Sequence, residues 1–591
     1  MRKIFSLAAI ATTFSLVAAA FSPNSASAQN YVEMKPLAEV LAGASVRDCR
    51  GGEGQNVTMI TWGADIFTLH ANGASLTTQP GSIFADEGLT VTLKREDVFA
   101  KQVEAYLRCD TPYLRGTLGQ INLASDITAV NPGTEMVPII QLSWSNGGDA
   151  LVAKKGINKP ADLKGKTIVV QAYGPHVAYL NKVLADAGLT PNDVTIVYTK
   201  DLVGFDDDTT PGSAFLDDPN IDAAMVIIPD ALKLTSGGTG GTGAENSFDG
   251  AEIMLSTKSA SRVIADVYVV RKDYLEANRD EVQKFVHALL VAEESLRKLV
   301  LEKDTRTDEY NAIIVAAAGH LLDAPTDIDD TEGMYADAET IGFAGNKKFF
   351  ENTKYPRNVT KLTSEIQTAY VQQGMLAATA SLGSATWNYD ALKAGITNTI
   401  AKTTPKFNAD KLAAAVTNMA SSGALDDGTL FEFQINFQPE QDTFSVEIYG
   451  DAFKQVVDLA STYAGAIITV EGHSDPANFI KKMKNGAGEG ILNRIRQRAK
   501  NLSVSRSTAV RKAVLDMAAA AGAPMDPSQF VTIGYGISNP ATGICQTKDE
   551  PLCLAAGLPR YPANKAEWLN NMRVVFKIIN VEAESSAFET F

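Results

Sequence analysis

Two segments near the C-terminus carry side chains that together could bind a zwitterion. Gly472-His473-Ser474-Asp475 follows an apolar strand at 466–470, and Leu502-Ser503-Val504-Ser505-Arg506 leads into a helix at 505–519. The pattern sets a carboxylate at a strand end and a guanidinium in the first turns of a helix. A free amino acid or peptide end presents an ammonium and a carboxylate, for which an Asp and a fork-shaped Arg are the minimal receptor. The elements that must position them read as strand 431–437, helix 453–463, strand 467–470, helix 505–519, strand 531–535 and a last strand at 571–578.

These residues resemble the GHTD…NxxLSxxRA signature of OmpA-like peptidoglycan-binding domains, whose ligand is the diaminopimelate of the cell-wall stem peptide. The resemblance implies that Asp475 holds the diaminopimelate amine and Arg506 a carboxylate. Ser474 and Leu502 would shape the pocket, and Arg573 matches one arginine of the family's closing NRRV motif. The chain departs from the pattern in several places. Ala499 stands where the family has Asn, so Asn501 is offset by two, and Met572 replaces the second arginine. The interval from Asp475 to Arg506 is also longer and basic, carrying Lys481, Lys482, Lys484, Arg494, Arg496, Arg498 and Lys500. It reads as a solvated helix or as a surface for acidic wall polymers or anionic lipid heads.

Upstream, from 31 to 402, strand-like and helix-like segments alternate in the manner of α/β architecture. Three loops hold residues suited to gripping a polar solute. Ser145-Asn146-Gly147-Gly148 offers a hydroxyl donor and close backbone approach, Gln171-Ala172-Tyr173-Gly174-Pro175-His176 lies between a strand and a helix, and Trp62-Gly63-Ala64-Asp65 closes a strand. Backbone N–H groups at such turns and helix starts hold anionic or polar groups; the plainer reading is ordinary turns with Gly for positive φ. Asp65 and Asp266 read as carboxylates facing either an amine of the solute or open solvent. His70 and His176 read as isolated.

This region resembles the periplasmic solute-binding proteins of ABC importers, in the branch that includes the nitrate, sulfonate and thiamine-precursor binders. The resemblance rests on the 143–149 segment SWSNGGD, the PADLKGK turn at 160–166, AGLTPNDV at 187–194, and Asp222-Ala223-Ala224 with Pro229, in the family's order. It implies a type 2 fold of two α/β lobes closing on a small solute, the second lobe spanning about 149–271, followed by an α/β OmpA-like domain. The strands at 150–155 and 266–272 are the expected crossings between lobes. The glycine-rich loop at 236–246 reads as a linker or a lid.

Composition agrees with an exported chain. Arg2 and Lys3 precede an apolar run and Ala26-Ser27-Ala28, the layout of a secretory signal peptide cleaved near residue 28. Four cysteines then read as two disulfides, Cys49–Cys109 and Cys545–Cys553, rather than as a metal or redox site. The formal charge is −16, and loss of Arg2 and Lys3 brings it to −18, which argues against nucleic acid as a partner. No later run is apolar and long enough to span a bilayer. The expected organisation is a signal peptide (1–28), a two-lobed solute-binding domain (29–402), a linker (403–429) and a peptidoglycan-binding domain (430–585). The expected protein is a non-enzymatic solute receptor without cofactor or metal, periplasmic and wall-associated in a Gram-negative bacterium, with an ABC permease as a possible partner. The competing readings are an enzyme on the two-lobed scaffold and a structural envelope protein that has lost its solute.

Overall fold

The computed structural model describes residues 30–579 except 53–54, 205–208, 239, 245, 400–411, 413, 415, 420–428, 438–445, 521, 523, 542–561 and 563. The segment 1–28, expected to be a signal peptide, and the expected Cys545–Cys553 pair lie outside the described residues. Cys49 and Cys109 are bonded, with their Cα atoms 5.5 Å apart, and join the segment before β1 (Asn56–Met59) to the turn after helix Phe99–Leu107.

The first lobe is built on β1, β2 (Thr92–Arg95), β3 (Tyr113–Thr117) and β4 (Met136–Ser145), with β1 and β2 paired in parallel. β4 is buried along its whole length. Two covered faces call for a continuous apolar run rather than alternation, which is how MVPIIQLSWS reads. The chain then crosses into a five-stranded sheet made of β5 (Asp149–Ala153), β6 (Thr167–Gln171), β7 (Thr195–Thr199), β8 (Ala223–Ile227) and β9 (Glu252–Ser256). Its order is β7-β6-β8-β5-β9, with β6 parallel to both neighbours and β5 antiparallel to both of its own. β10 (Ala265–Arg271) returns to the first lobe between β4 and β3, and β11 (Ala338–Thr340) adds to the other edge of β4.

Two expectations are corrected here. The second-lobe sheet ends at Ser256, because β10 is an interior strand of the first-lobe sheet. The crossings are therefore 146–148 and 257–264, and the strands at 150–155 and 266–272 belong to different sheets. An apolar run reports burial and carries no information about which sheet buries it. The loop at 236–246 links helix Ile228–Leu234 to β9 and is tied to its own lobe, Gly241 N–H donating to Ala251 O and Thr242 N–H to Ser247 Oγ.

Helices Arg279–Leu301, Thr307–Leu321 and Val359–Gln372 follow. Val282, Phe285, Leu289, Ala292 and Leu296 form the buried stripe of the first, as their spacing predicts. Trp387 Nε1 donates to Ile139 O at 2.8 Å, closing this part of the chain onto β4.

The C-terminal unit runs β12 (Thr429–Asn436), helix Val446–Thr462, β13 (Ile467–His473), helices Ala477–Lys484 and Glu489–Ala520, β14 (Phe530–Gly536), helix Lys565–Asn570 and β15 (Arg573–Ile579). Its sheet has the order β12-β15-β13-β14, with only β13 and β14 parallel. The helix expected at 505–519 begins at Glu489, so Arg506 sits mid-helix and not in the first turns. Leu492, Ile495 and Ala499 continue the buried face through the basic stretch, packing around Phe479 and Ile480, while Arg494, Arg496, Arg498 and Lys500 stay exposed. The high charge of that stretch hid its periodicity.

This unit docks on the second crossing. Arg262 N–H donates to Thr462 O and Gly465 N–H to Ser259 O, both at 3.2 Å. Tyr463 Oη donates to Asp186 at 3.0 Å, and the buried Lys182 lies 2.8 Å from Asp186, 3.5 Å from Asp458 and 3.6 Å from Glu365. Among the described residues no helix is long and apolar enough to cross a membrane.

Candidate functional site

Where the lobes meet, a chain of polar contacts runs from the floor of the first lobe to Trp62. Arg115, on β3, is fully buried; its Nη2 donates to Asp65 Oδ2 at 2.8 Å and its Nη1 to Asp266 Oδ1 at 3.1 Å. Ser143 Oγ donates to the other oxygen of Asp266, and Trp62 Nε1 donates to Ser143 Oγ, both at 3.0 Å. Asp65 and Asp266 are thus neither surface carboxylates nor free to meet an amine; they are committed to Arg115. Burial pushes Asp65 up to about 7 although Arg115 pulls it down, and it raises Asp266 as well. Burial also works against the charge of Arg115, but the two carboxylates more than offset it.

The Trp62 ring reaches the crossing loop. A Cβ on Gly148 would lie 2.7 Å from Trp62 Cη2, so only glycine admits the indole here. Behind that loop Asp149 accepts from Ser145 Oγ at 2.6 Å, and its other oxygen lies 2.6 Å from His176 Nε2. Thr257 Oγ1, from the second crossing, accepts from the backbone N–H of Gly147 and Asp149 at 3.0 and 3.1 Å. His176 is therefore not isolated: it is fully buried beside Asp149, and its Nδ1 meets no hydrogen-bond partner among the described residues. Asn146 N–H donates to Asp337 O, and the half-buried Asp337 carboxyl faces Gly147. Burial, then the nearby charge of Asp149, pushes Asp337 up to about 7 against the pull of Lys258.

Gln171 Nε2 donates to Lys200 O, and Tyr173 holds a φ of +59°, with its hydroxyl on the backbone of Lys35. The Tyr173 carbonyl accepts from Gln120 Nε2 at 3.2 Å, which joins the lobes. Gln120 is set by the capping box that Thr117 makes at the start of helix Leu118–Leu123. Asn181 and Gln373 exchange amide hydrogen bonds at 2.9 and 3.0 Å farther along the same seam. Trp62, Ser145, Gly147 and Gly148 thus converge, whereas Gln171 and Tyr173 lie on the seam beside Gln120. Gly63 lies buried under the Met334 backbone. Arg115 and Asp337 complete the group and were not singled out from sequence; Asp149 entered only as the end of the SWSNGGD segment, and His176 read as isolated. Arg115 alone carried a signal, a charge inside the buried strand YLRGT.

In the C-terminal unit, Asp475 Oδ1 accepts from Ala477 N–H at 2.7 Å and Oδ2 from Asn571 Nδ2 at 3.0 Å; burial raises its pKa. Ser474 Oγ donates to Ala499 O at 3.1 Å. Arg506 is fully buried, its Nη1 donating to His473 O at 3.2 Å and its guanidinium 5.4 Å from the centre of the Phe437 ring. Arg573 Nη2 donates to Asn539 O, and Leu502 is half-buried. A Cβ on Gly472 would fall 1.9 Å from Ser503 O, so glycine lets helix Glu489–Ala520 lie directly on β13.

Residues 82–297 match the family model described as "NMT1/THI5 like". No curated protein matches the chain. Among solved structures, the periplasmic aliphatic sulphonate binding protein SsuA from Escherichia coli is 13% identical with a TM-score of 0.38, over 56% of this chain and 91% of that one. The alkanesulfonate-binding protein SsuA from Xanthomonas axonopodis pv. citri, bound to MOPS, is 16% identical with a TM-score of 0.37, over 55% and 96%. The desulfurization enzyme DSZB is 15% identical with a TM-score of 0.34, over 56% and 94%. The matched segment carries β2 through β10.

Proposed function

We propose that the chain is a periplasmic solute receptor, serving an ABC importer and held at the cell wall by its C-terminal unit. The observation that carries the receptor reading is the apposition of two sheets, joined by the crossings 146–148 and 257–264, with Trp62 against Gly148 at the seam. The NMT1/THI5-like match over this part supports it. Two linked α/β lobes can open to admit a solute and close to exclude water. The division into 29–402, 403–429 and 430–585 belongs to this reading.

The wall-binding half rests on the sequence resemblance around Asp475 and Arg506. Asp475 is the more accessible partner; a ligand carboxylate reaching Arg506 must move what covers it. Native mass spectrometry of the purified mature chain tests the first half by looking for a carried-over solute that Trp62→Ala loses. Pelleting with insoluble peptidoglycan tests the second. Asp475→Ala is expected to leave most of the protein in the supernatant, and pelleting at the wild-type level by this variant sinks the assignment. The buried His176–Asp149 pair favours one second reading, an enzyme on the same scaffold; a solute recovered chemically altered by wild type and unaltered by His176→Gln is the result that would select it.

A further inference from the structure

The C-terminal unit touches three parts of the upstream chain at once. On the second lobe, Tyr463 Oη donates to Asp186 Oδ2 at 3.0 Å, and Asp458 lies 3.5 Å from Lys182 Nζ. Both partners sit on helix His176–Asp186, which packs on β6. On the second crossing, Arg262 N–H donates to Thr462 O and Gly465 N–H to Ser259 O, one bond given from each side. On the first lobe, Asn352 Nδ2 donates to Gly522 O at 2.6 Å. Asn352 follows helix Gly342–Glu351, and Asn346 of that helix bonds the Gln141 backbone in β4.

Inside the unit these anchors belong to one body. The carbonyl of the fully buried Tyr463 accepts from Gln529 Nε2 at 2.8 Å, and the Tyr463 ring packs 4.7 Å from that of Phe431 in β12. A Cβ on Gly465 would fall 1.7 Å from Lys258 O, so glycine is what lets this turn lie on the crossing. Arg357 adds a second tie to the same stretch, its Nε donating to Arg262 O and its Nη1 to Glu365, both at 2.9 Å.

A two-lobed receptor opens by rotation about its crossings, whose backbone absorbs the change. Here one crossing is bonded to a body whose other two anchors lie on opposite lobes. That body cannot follow both lobes as they separate. Opening breaks either the contacts to Asp186 and Lys182 or the bond to Asn352, and it turns residues 259–262 beneath Thr462 and Gly465.

We propose that the C-terminal unit braces the lobe hinge, so that lobe closure and docking of this unit form one linked equilibrium. The proposal rests on the receptor reading and adds its regulation. The docked unit favours closed lobes, and its release frees the crossing to turn. Linkage makes this reciprocal: a solute that closes the lobes strengthens docking by the factor by which docking strengthens its capture. The wall-held unit thereby responds to whether the receptor is loaded.

Lobe separation in the full mature chain tests this, read as the electron–electron distance between nitroxides on p-acetylphenylalanine at positions 94 and 159. Lys94 and Lys159 are exposed, one on each lobe, and this chemistry spares the cysteines. Tyr463→Phe with Asp458→Asn breaks the second-lobe anchor and is expected to move the distribution to longer distances. Gly465→Val blocks the turn and should do the same; the first variant decides if this one does not fold. Conversely, Gln120→Glu loosens the lobe seam without touching the brace. It should raise hydrogen exchange in 459–466 roughly two- to fivefold, the most that one hydrogen bond transmits. Distances unchanged in the docking variants overturn the proposal, as does wild-type exchange in Gln120→Glu once its lobes have opened. Solute carry-over that Trp62→Ala loses bears on the receptor reading alone, so unchanged distances beside it remove the brace and leave that reading standing.

Discussion

The side-chain amide of Gln120, on the first lobe, donates to the backbone carbonyl of Tyr173, on the second, at 3.2 Å. Its oxygen meanwhile accepts from Thr117 N–H at 3.0 Å, so one side chain both starts a helix and ties the lobes. Gln120→Glu keeps the acceptor and removes the donor. The variant should favour the open arrangement by about 1 kcal/mol, the usual net worth of one hydrogen bond. A larger radius of gyration in X-ray scattering checks this; unchanged scattering means that the bond does not hold the lobes.

Arg115 balances two buried carboxylates. Arg115→Met leaves Asp65 and Asp266 without their cation and should destabilise the first lobe by about 3–5 kcal/mol. Denaturant unfolding measures the loss. Adding Asp65→Asn and Asp266→Asn to Arg115→Met should recover part of it, since uncompensated charge is the cause; no recovery would refute that account.

Asp337 predicts a pH dependence. Its pKa in the fold is about 7, raised from an ordinary 3.8, so the folded chain holds a proton that the unfolded chain has released. Stability from this group is unaffected below about 4, falls as pH rises to about 7, and is level above that. Allowing for solvent around a half-buried group, the fall is about 1–2 kcal/mol. Asp337→Asn should be more stable than wild type at pH 8 and equal to it at pH 4. Melting curves across that range give the test, and parallel curves for the two proteins count against it.

The Cys49–Cys109 bond closes a loop of sixty residues around β1 and β2. Replacing both cysteines by Ser should cost about 2–4 kcal/mol through the freedom returned to the unfolded chain. A reducing agent should shift the melting of wild type and not of the double variant.

Local pattern carried much of the architecture. The helical stripe at Val282, Phe285 and Leu289 states its own burial. Gly147 and Gly148 read as a turn of close backbone approach, and only the sheet pairing makes that turn a crossing between lobes. Pattern failed where a partner decides the outcome. Asp65 and Asp266 read as facing a solute amine or open solvent because charge is normally solvated, and a buried Arg115 fifty residues from the nearer of them reverses both readings. His176 read as isolated for the same reason, since Asp149 is distant in sequence and adjacent in space.

Much of the element order follows from the sequence alone, because hydrophobic periodicity, glycine turns and caps act between residues close along the chain. Strand membership, the commitment of Asp65 and Asp266 to Arg115, the seam between Gln120 and Tyr173, and the docking of Tyr463 on Asp186 belong to the tertiary structure. Each depends on groups far apart in sequence whose meeting is set by how sheets and units dock, and no local pattern encodes that meeting.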